Sequence, residues 1–332
     1  MRFYPDLSTK VDHLKHYSLR KVFSFNVKYM YLIGGRRYGK TYGIKTFLFK
    51  DFVQHGHKFA WIRSTDRALE KIKTPTQFFG RMKNLKELGV ETYDIKKDII
   101  YINGKEAGYL FSVSTFFNDK GADYDCINGV YDEFMRAKGE RPVPDKRRKF
   151  FDLVESVFRG DGQRIFLMSN STNQFDEMLE PFKVTLKEYG CYLYLEKNAV
   201  IHYIKTSKEH MNNMENSLSG YGMTDEDKKM AFSNQFTSFG DFGKVAKGTY
   251  LFTLQVDDDK FITLYNSDGN IYCRQRAPSR MDKIFSFTPD YVSSKIKRLS
   301  QSGRKLLQQA FNDGRCIFET GYVRTMITEI LN

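Results

Sequence analysis

An eight-residue run, Gly34–Thr41, has the residue types and the spacing of a loop that binds phosphate. It reads GGRRYGKT and fits the pattern G-x-x-x-x-G-K-T in full. Gly34 and Gly39 let the backbone turn so that its N–H groups face an anion. Lys40 can then reach the β- and γ-phosphates of a nucleotide, and the Thr41 hydroxyl can ligate Mg²⁺. The predicted nucleotide-binding residues are Gly34, Gly35, Arg36, Arg37, Tyr38, Gly39, Lys40 and Thr41.

The segments on both sides of this run support that prediction. Tyr29–Ile33 is a short apolar run that predicts a buried strand, and 42–53 is an apolar-periodic stretch that predicts a helix. A phosphate-binding loop needs this order of strand, loop and helix, because the helix N-terminus adds positive potential. The alternative is a glycine turn that fits the pattern by chance, and the flanks disfavour it. The sequence therefore predicts a site for a nucleoside triphosphate with Mg²⁺.

Two adjacent acids, Asp132 and Glu133, follow a second predicted buried strand. In a site of this kind Asp132 would hold Mg²⁺, and Glu133 would polarise the water that attacks the γ-phosphate. An acidic turn at a strand end is the alternative for an isolated pair of this type. The position of the strand downstream of the phosphate loop favours the catalytic interpretation.

Hydrolysis also needs positive charge where negative charge develops on the γ-phosphoryl group. Arg159 follows a predicted helix and could project across a subunit boundary into a neighbour's site. Lys120 precedes the acidic strand and could act within its own subunit, as could the two arginines of the phosphate loop. Asn170 ends a further core strand, where its amide could sense the γ-phosphate. The alternatives are surface charges for the cations and a helix cap or turn for Asn170.

A basic stretch follows Glu133, and it is placed to link the nucleotide state to a grip on nucleic-acid phosphates. An exposed charge run that binds nothing is the alternative. No aromatic residues alternate with the basic ones, which argues against stacking on single-stranded bases as the main binding mode. The predicted DNA-binding residues are Lys138, Arg141, Lys146 and Arg147.

Composition agrees with a polyanionic partner. The 332 residues carry a formal net charge of +13, and most of the basic excess lies in residues 1–200. The longest apolar runs are far shorter than a membrane span, so no membrane partner is expected. The four cysteines are scattered without a C-x-x-C pair, as expected for reduced thiols in a cytoplasmic protein.

The elements that must position these residues alternate between strands and helices. This order predicts an α/β fold with a mostly parallel sheet and ligands at the carboxyl ends of its strands. Three domains are expected: an ATPase domain at 1–205, a linker region at 206–246 that is rich in Asn, Ser, Gly and Met, and a small α+β domain at 247–332. Beyond 29–33 and 42–53, the predicted elements of the ATPase domain are a strand at 58–63, an amphipathic helix at 67–88 broken at Pro75, two strands in 95–110 joined at Asn103–Gly104, a strand at 127–133 that ends in the two acids, a helix at 149–159, a strand at 164–170 and one or two strands in 189–204. Further along the chain they are a short helix at 224–232, three antiparallel strands in 248–273, a helix at 291–312 and a terminal helix.

These residues resemble a family, the DNA-packaging ATPases of small phi29-like tailed bacteriophages. The resemblance depends on the phosphate loop and on three short runs, YDEF at 131–134, VFR at 157–159 and MSN at 168–170. It implies a P-loop ATPase of the additional-strand, catalytic-glutamate class. It also implies that Arg159 acts in trans, that Lys120 is a candidate partner in cis, and that Lys138 and Asn170 lie near the DNA channel or couple to it.

The resemblance further implies a motor that uses ATP and Mg²⁺ to drive double-stranded DNA into an empty procapsid. The expected partners are double-stranded DNA, further copies of the chain in a homomeric ring (a pentamer in this family), the portal vertex of the procapsid and, in systems that use one, a structural packaging RNA. The protein would act in the host cytoplasm, docked transiently on the procapsid and absent from the mature virion. The domain at 247–332 would be RNase H-like and inactive as a nuclease.

Two other functions stay open. A large-terminase-type enzyme would both package and cut DNA, and the acids Asp257, Asp258 and Asp259 keep a two-metal nuclease conceivable. These three acids lie together in a predicted hairpin turn, however, where acids are ordinary turn residues. A non-motor protein that uses ATP binding as a switch for nucleic-acid binding is the second alternative.

Overall fold

The computed structural model of the 332-residue chain describes residues 1–6, 17–116, 124–135, 143, 145–170, 176–184, 186–215, 248–257, 260–278, 280–287 and 292–331. The chain divides into two compact units. The first comprises Met1–Lys138 and Val143–Thr237, and the second comprises Gly139–Pro142 and Ser238–Asn332. The predicted domain boundaries, with a linker region at 206–246, stay a prediction because 216–247 lies outside the described residues. The helix predicted at 224–232 also lies outside them.

The described part of the first unit alternates strands with helices, as predicted. Its elements are β1 Arg2–Pro5, α1 Arg20–Phe23, β2 Tyr29–Ile33, α2 Lys40–His55, β3 Lys58–Arg63, α3 Asp66–Glu70, α4 Pro75–Phe79, β4 Tyr93–Lys96, β5 Ile99–Ile102, β6 Lys105–Ser112, β7 Cys126–Asp132, α5 Lys146–Val157, β8 Arg164–Ser169, β9 Gly190–Tyr194, β10 Ala199–Tyr203 and α6 Lys208–Glu215, with 3-10 turns at Lys86–Leu88, Glu180–Phe182 and Leu195–Lys197.

The strands of this unit form one sheet of ten in the order β1-β9-β10-β2-β8-β7-β3-β6-β5-β4. The six central strands, from β10 to β6, are parallel, and the two strands at each edge run antiparallel to their neighbours. The predicted mostly parallel sheet is therefore confirmed. Strands β2, β8 and β7 lie side by side at its centre, so the segments that follow them meet at one edge of the sheet.

Both faces of the central sheet are covered by apolar cores. Along β2, Met30 and Leu32 belong to one core, while Tyr31 and Ile33 belong to the other. Successive side chains of a strand point to opposite faces, so a strand buried on both sides must be apolar throughout, as Tyr29–Ile33 is. Helix α2 packs on the first face with buried residues Ile44, Leu48, Phe49 and Phe52, which recur at helical spacing.

The segment predicted as one broken helix at 67–88 consists instead of α3, α4 and a 3-10 turn. Thr74 caps α4 because its hydroxyl accepts from Gln77 N, while the Gln77 side chain accepts from Thr74 N. Pro75 then occupies the first helical turn, where proline is tolerated. The break predicted at Pro75 is therefore confirmed, because the capping chemistry at Thr74 starts a new helix there. The predicted helix does not continue to 88, since α4 ends at Phe79 and only a 3-10 turn follows at Lys86–Leu88.

The hairpin predicted at Asn103–Gly104 is confirmed. Both residues have positive φ, 52° and 75°, as a type I′ turn requires, and they join the antiparallel strands β5 and β6. A second turn with two positive φ values, at Lys97–Asp98, joins β4 to β5 and was not predicted. The segment therefore holds three strands rather than two.

Several other element bounds differ slightly from the sequence predictions. Helix α5 begins at Lys146 rather than 149 and ends at Val157. In the second unit, the helix predicted from 291 begins only at Gln301, because the Ser300 hydroxyl caps it by accepting from Gly303 N.

The second unit has its own sheet and core. Its elements are β11 Thr249–Asp257, β12 Lys260–Ser267, β13 Asn270–Gln275, a 3-10 turn Met281–Lys283, β14 Ile284–Ser286, β15 Lys297–Arg298, α7 Gln301–Asn312, β16 Cys316–Phe318 and α8 Gly321–Leu331. The sheet order is β15-β14-β11-β12-β13-β16. The three predicted antiparallel strands, β11 to β13, are confirmed, and β14 and β16 pair in parallel with β11 and β13. In the described part of the chain, no helix is long and apolar enough to cross a membrane.

Candidate nucleotide site

The phosphate loop joins β2 to α2, as the sequence predicts. Its N–H at Gly34 donates to the carbonyl of Ser169 at the end of β8, over 3.1 Å. Gly39 has a φ of 86°, a left-handed conformation that favours glycine, and it directly precedes the first turn of α2. The loop therefore starts on the central sheet and ends at a helix N-terminus, where backbone N–H groups lack helical partners and can bind an anion.

Lys40 is buried inside this loop. Its ammonium donates to the carbonyls of Gly34 and Gly35 over 2.8 and 2.7 Å, and the residue is 8% exposed. Burial lowers the pKa of Lys40 to about 7, although the nearby charges of Asp132 and Glu133 act in the opposite direction. The ammonium therefore occupies the centre of the loop, held by neutral carbonyls that a phosphate could replace as partners.

Two segments outside the loop hold it in place. The N–H of Tyr17 donates to the carbonyl of Tyr38 over 2.8 Å. On the other side, His210 of α6 lies 3.4 Å from the Arg36 carbonyl through Nε2, and its ring centroid lies 5.0 Å from that of Tyr38. The loop is thus supported by residues far before and after it in the chain.

Both predicted acids stand at the carboxyl end of β7, and one arginine holds them together. Arg63, at the end of the neighbouring strand β3, donates through one Nη to Asp132 Oδ2 and through the other to Glu133 Oε2, each over 2.7 Å. Glu133 has a φ of 57°, which is unusual for a residue with a side chain. This turn directs its carboxylate towards Arg63, next to that of Asp132.

The protonation of Asp132 depends on this arrangement. Burial raises the pKa of Asp132, and the charge of Glu133 raises it further. The positive charges of Arg63 and Lys45 lower it and partly offset the cost of burial. An Asp132 carboxylate that is to hold a cation therefore depends on Arg63 to stay ionised.

The loop and the acids line one cavity of about 880 Å³, a size that suits a nucleotide. Thr41 and Asp132 both line it, and their side chains carry the oxygen ligands that fit Mg²⁺. Asn170, predicted as a sensor, also lines it. The lining residues are Arg36, Arg37, Tyr38, Gly39, Lys40, Thr41, Tyr42, Lys45, Gln77, Phe78, Arg81, Met82, Lys83, Asp132, Glu133, Met168, Ser169 and Asn170.

Arg159 lies at the other edge of the sheet. The residue before it, Phe158, bridges to Cys126, the first residue of β7, whereas Asp132 is the last. Seven residues of strand span about 20 Å, so Arg159 is remote from the nucleotide site of its own chain. It is exposed at that edge. Gly129 contributes to this placement, because a Cβ there would lie 2.4 Å from the Phe158 ring.

The structure does not support Lys146 as a DNA-binding residue. Its ammonium is buried and donates to both carboxylate oxygens of Asp176, over 3.0 and 2.9 Å, and to the carbonyl of Phe134. Burial disfavours the charged form, but the charges of Asp176, Tyr131 and Glu177 and the hydrogen bond to Asp176 together outweigh burial and raise the pKa of Lys146. An ammonium with these partners is not available to DNA phosphates.

The remaining predicted cations are only partly described. Arg147, beside Lys146 on α5, is half-exposed and pairs with Glu180 over 3.3 Å, so it stays a candidate for DNA contact. Lys120, Lys138 and Arg141 lie outside the described residues, as do Asp258 and Asp259. The roles predicted for these five residues stay predictions.

Two basic residues that act on Asp132 were missed by the sequence reasoning. Arg63 ends a buried strand beside β7, and Lys45 is buried one turn into α2, where its charge lowers the pKa of Asp132. A basic residue at the end of an otherwise apolar strand was a usable signal for Arg63. No pattern in the sequence marked Lys45, because a lysine in an amphipathic helix is usually exposed.

The chain is similar to known proteins over most of its length. A family model described as podovirus DNA encapsidation protein (Gp16) matches residues 11–332. The DNA packaging protein of Bacillus phage phi29 is 26% identical over 166 residues, which are 49% of this chain and 48% of that protein. That of Bacillus phage B103 is 26% identical over 146 residues, 43% of this chain and 44% of that protein. The chain thus matches about half the length of these curated relatives.

Solved structures show the fold. The bacteriophage phi29 genome packaging motor assembly superposes with a TM-score of 0.66 at 20% identity, covering 96% of this chain and 98% of that chain. The N-terminal domain of the phi29 DNA packaging ATPase superposes with a TM-score of 0.52 at 24% identity, covering 58% of this chain and 97% of that domain. The α/β fold of this chain is therefore that of phage packaging motor proteins.

Proposed function

This chain belongs to the podovirus DNA encapsidation protein (Gp16) family, and on that premise we propose that it is an ATP-driven motor that moves double-stranded DNA into a viral procapsid. One observation carries the proposal: Lys40 and Thr41 of the phosphate loop share a single cavity with Asp132 and Glu133. These are the groups needed to bind a triphosphate and to activate water against it.

Nucleotide binding would begin with an exchange of partners at Lys40. Its ammonium would leave the loop carbonyls of Gly34 and Gly35 for the β- and γ-phosphates, which are stronger acceptors because they are charged. Thr41 and Asp132 would hold Mg²⁺, which neutralises charge on the phosphate oxygens when it is bound.

Glu133 would act as the general base, and Arg63 would control it. While Glu133 is bonded to Arg63, its carboxylate is directed towards the end of β3, and the bonded oxygen is not available to a water molecule. Release of one Arg63 bond would free the carboxylate to accept a proton from water, while the other bond would keep Asp132 ionised. Hydrolysis would then depend on the position of a single arginine.

Completion of the site would require a second copy of the chain. Arg159 lies at the end of β7 opposite Asp132 and Glu133 of its own chain, about 20 Å away along the strand. In a ring, an exposed arginine at this edge can enter the site of a neighbour and supply charge to the transition state. We propose that this ring docks transiently on the portal vertex of the procapsid in the host cytoplasm, together with a structural RNA in systems that use one. The ring would be absent from the mature virion.

The second unit would bind the capsid or portal rather than cut DNA. Among the residues that the structure describes, no group of three or more His, Cys, Asp or Glu side chains is placed to hold a metal ion. Asp258 and Asp259 lie outside the described residues, so nuclease activity has to be tested by experiment. DNA cleavage in Mg²⁺ or Mn²⁺ that disappears on replacing Asp257, Asp258 and Asp259 by Asn would instead favour the terminase-type enzyme.

The test of the ATPase is a comparison of binding with hydrolysis. Lys40→Ala should weaken ATP binding at least tenfold, because it removes the cation of the loop. Glu133→Gln should bind ATP like the wild type and hydrolyse it about 100-fold more slowly, because only the base is lost. Lys50→Ala and Glu155→Gln remove exposed charges from α2 and α5 and should change neither quantity. Wild-type protein that does not bind ATP, or a Glu133→Gln variant with full turnover, would overturn the proposal.

A further inference from the structure

The nucleotide cavity has a second basic wall that no motif in the sequence indicated. It is formed by residues 77–83, which we call the wall segment. This segment comprises the last three residues of α4 and the four residues after it. Gln77, Phe78, Arg81, Met82 and Lys83 of this segment line the cavity together with the phosphate loop. Two of the five are cations, so the wall faces the cavity with positive charge.

The wall segment is tied to the helix that follows the phosphate loop. The ammonium of Lys45, on α2, donates to the carbonyl of Phe78, and it lies 3.8 Å from the centroid of the Phe78 ring and 4.9 Å from that of Trp61. Phe78 and Phe79 are themselves buried in the core. A shift of α2 on nucleotide binding would therefore be transmitted to the wall segment.

The backbone around Gly80 and Met82 determines the positions of Arg81 and Lys83. A Cβ at Gly80 would lie 2.3 Å from the Thr76 carbonyl, so only glycine permits this close approach at the end of α4. Met82 is buried and its N–H donates to the Phe79 carbonyl over 2.8 Å. Arg81 and Lys83 flank this buried methionine, and both are exposed at the cavity.

In the part of the chain that the structure describes, Arg81 forms no ion pair with a carboxylate. Burial lowers the pKa of the nearby Lys45, and the positive charges of Arg81 and Arg63 lower it further. Besides Arg81, five basic residues border the cavity against two acids, Asp132 and Glu133; the five are Arg36, Arg37, Lys40, Lys45 and Lys83. The excess of positive charge matches a triphosphate rather than a neutral or cationic ligand.

We propose that Arg81 binds the phosphate chain of the nucleotide from the side opposite the phosphate loop, within the same subunit. The triphosphate would then lie between Lys40 in the loop and Arg81 in the wall segment. The proposal rests on the proposed ATP binding. It adds a further cation in cis, beside the predicted Lys120, to a site that the predicted Arg159 would enter from a neighbouring subunit.

The test is equilibrium binding of a fluorescent ATP analogue to the full chain at low salt, for wild type, Arg81→Ala, Arg81→Lys and Lys86→Ala. Lys86 is an exposed cation five residues away that does not line the cavity, so its loss is a matched control. Arg81→Ala should weaken binding about tenfold, the effect of one charge-assisted hydrogen bond. Arg81→Lys should recover part of the loss, and Lys86→Ala should bind like the wild type. Inorganic tripolyphosphate should compete about tenfold less well for Arg81→Ala, because the contact is to phosphate.

Three outcomes would overturn the inference. Equal affinity of Arg81→Ala and wild type, with Lys40→Ala impaired, would exclude Arg81 and leave the proposed function intact. A loss of ATP affinity without a loss of tripolyphosphate competition would assign Arg81 to the base or ribose instead. Wild-type protein that binds neither ligand would overturn the proposed function and this inference together.

Discussion

At the residue scale, the two acids at the end of β7 share one partner, and this determines their chemistry. Asp132 and Glu133 carry like charges at adjacent positions, an arrangement that raises the pKa of the more buried Asp132. Arg63 bonds to one oxygen of each. Its planar guanidinium can do so with two separate N–H groups, which a lysine cannot match.

Arg63→Ala should slow ATP hydrolysis about 100-fold, because it removes the positive charge that keeps Asp132 ionised. The pKa of Asp132, already raised by burial, should rise further. Since the ionised form is the one that ligates a cation, the acid limb of the kcat/KM profile should move to higher pH. Steady-state kinetics between pH 5 and 9 measure both effects.

Arg67→Ala is the control for this variant, because Arg67 is exposed on α3 four residues away. It should leave the profile unchanged. An acid limb that does not move in Arg63→Ala would contradict the role given to Arg63 here.

Lys40 should make ATP binding dependent on pH. Its pKa of about 7 in the free protein means that at pH 8 most of the lysine is neutral, whereas a bound phosphate requires the ammonium. Binding must then take up a proton, and affinity should fall as pH rises above about 7, by up to about tenfold per pH unit.

Calorimetry of ATP binding at pH 8, in two buffers of different ionisation enthalpy, measures this proton uptake. Lys40→Arg should remove the dependence, since a guanidinium stays charged. If the affinity of the wild type for ATP were constant from pH 7 to 9, the predicted proton uptake by Lys40 would be disproved.

At the element scale, a buried network holds the edge strand β1 and the start of the chain against the sheet. Asp6, which follows β1, accepts from Lys21 and lies 3.0 Å from Nε2 of His202 on β10. The other ring nitrogen of His202 is 3.0 Å from the Tyr17 hydroxyl. Because Tyr17 N also supports the phosphate loop, the network links the edge of the sheet to the nucleotide site.

Asp6 should contribute stability that acid removes. Burial raises its pKa, but His202 and Lys21 outweigh burial and bring the pKa to about 2, below the ordinary 3.8. A depressed pKa stabilises the fold above pH 4, and this contribution of about 2 kcal/mol is lost as the pH falls from about 4 to about 2. Asp6→Asn should be less stable at pH 7 and should lose less stability over that interval.

The measurement is urea unfolding of wild type and Asp6→Asn, followed by tryptophan fluorescence. Trp61 is the single tryptophan of the chain and is buried in the first unit, so it reports on that unit. Asp161→Asn, at an exposed bend, is the control and should unfold like the wild type. Equal stability of Asp6→Asn and wild type at pH 7 would contradict the prediction.

The sequence predicted the elements whose signals are local. The strands Tyr29–Ile33 and Lys58–Arg63 have the predicted bounds, because each contains an unbroken apolar run, 29–33 and 59–62, and ends at the site. The phosphate loop and the paired acids could be predicted because phosphate binding and hydrolysis require particular residue types at short, fixed spacings in the sequence. The Arg63 bridge and the burial of Lys146 could not be predicted, since both depend on which strands and loops become neighbours. Those contacts join residues about 30 to 70 positions apart, and single-sequence patterns do not reach that far.

At the scale of the whole molecule, the position of Arg159 requires a partner subunit. A chain with Arg159→Ala retains Glu133, and a chain with Glu133→Gln retains the arginine, so a mixed ring contains interfaces in which both are intact. Each variant alone should hydrolyse ATP at least 100-fold more slowly than wild type. An equimolar mixture should recover part of the activity, measured as ATP turnover on assembled motors. No recovery, or an Arg159→Ala variant as active as wild type, would contradict action in trans.

The most direct test of the packaging account is the effect of duplex DNA on ATP hydrolysis by the wild-type chain, measured with procapsids present so that the motor can assemble. A motor that grips DNA in each cycle should hydrolyse ATP several times faster when duplex DNA is added, and Glu133→Gln should abolish the increase. ATP that is bound and hydrolysed at the same slow rate with and without DNA would contradict the motor. That result would favour a protein that uses ATP binding only as a switch.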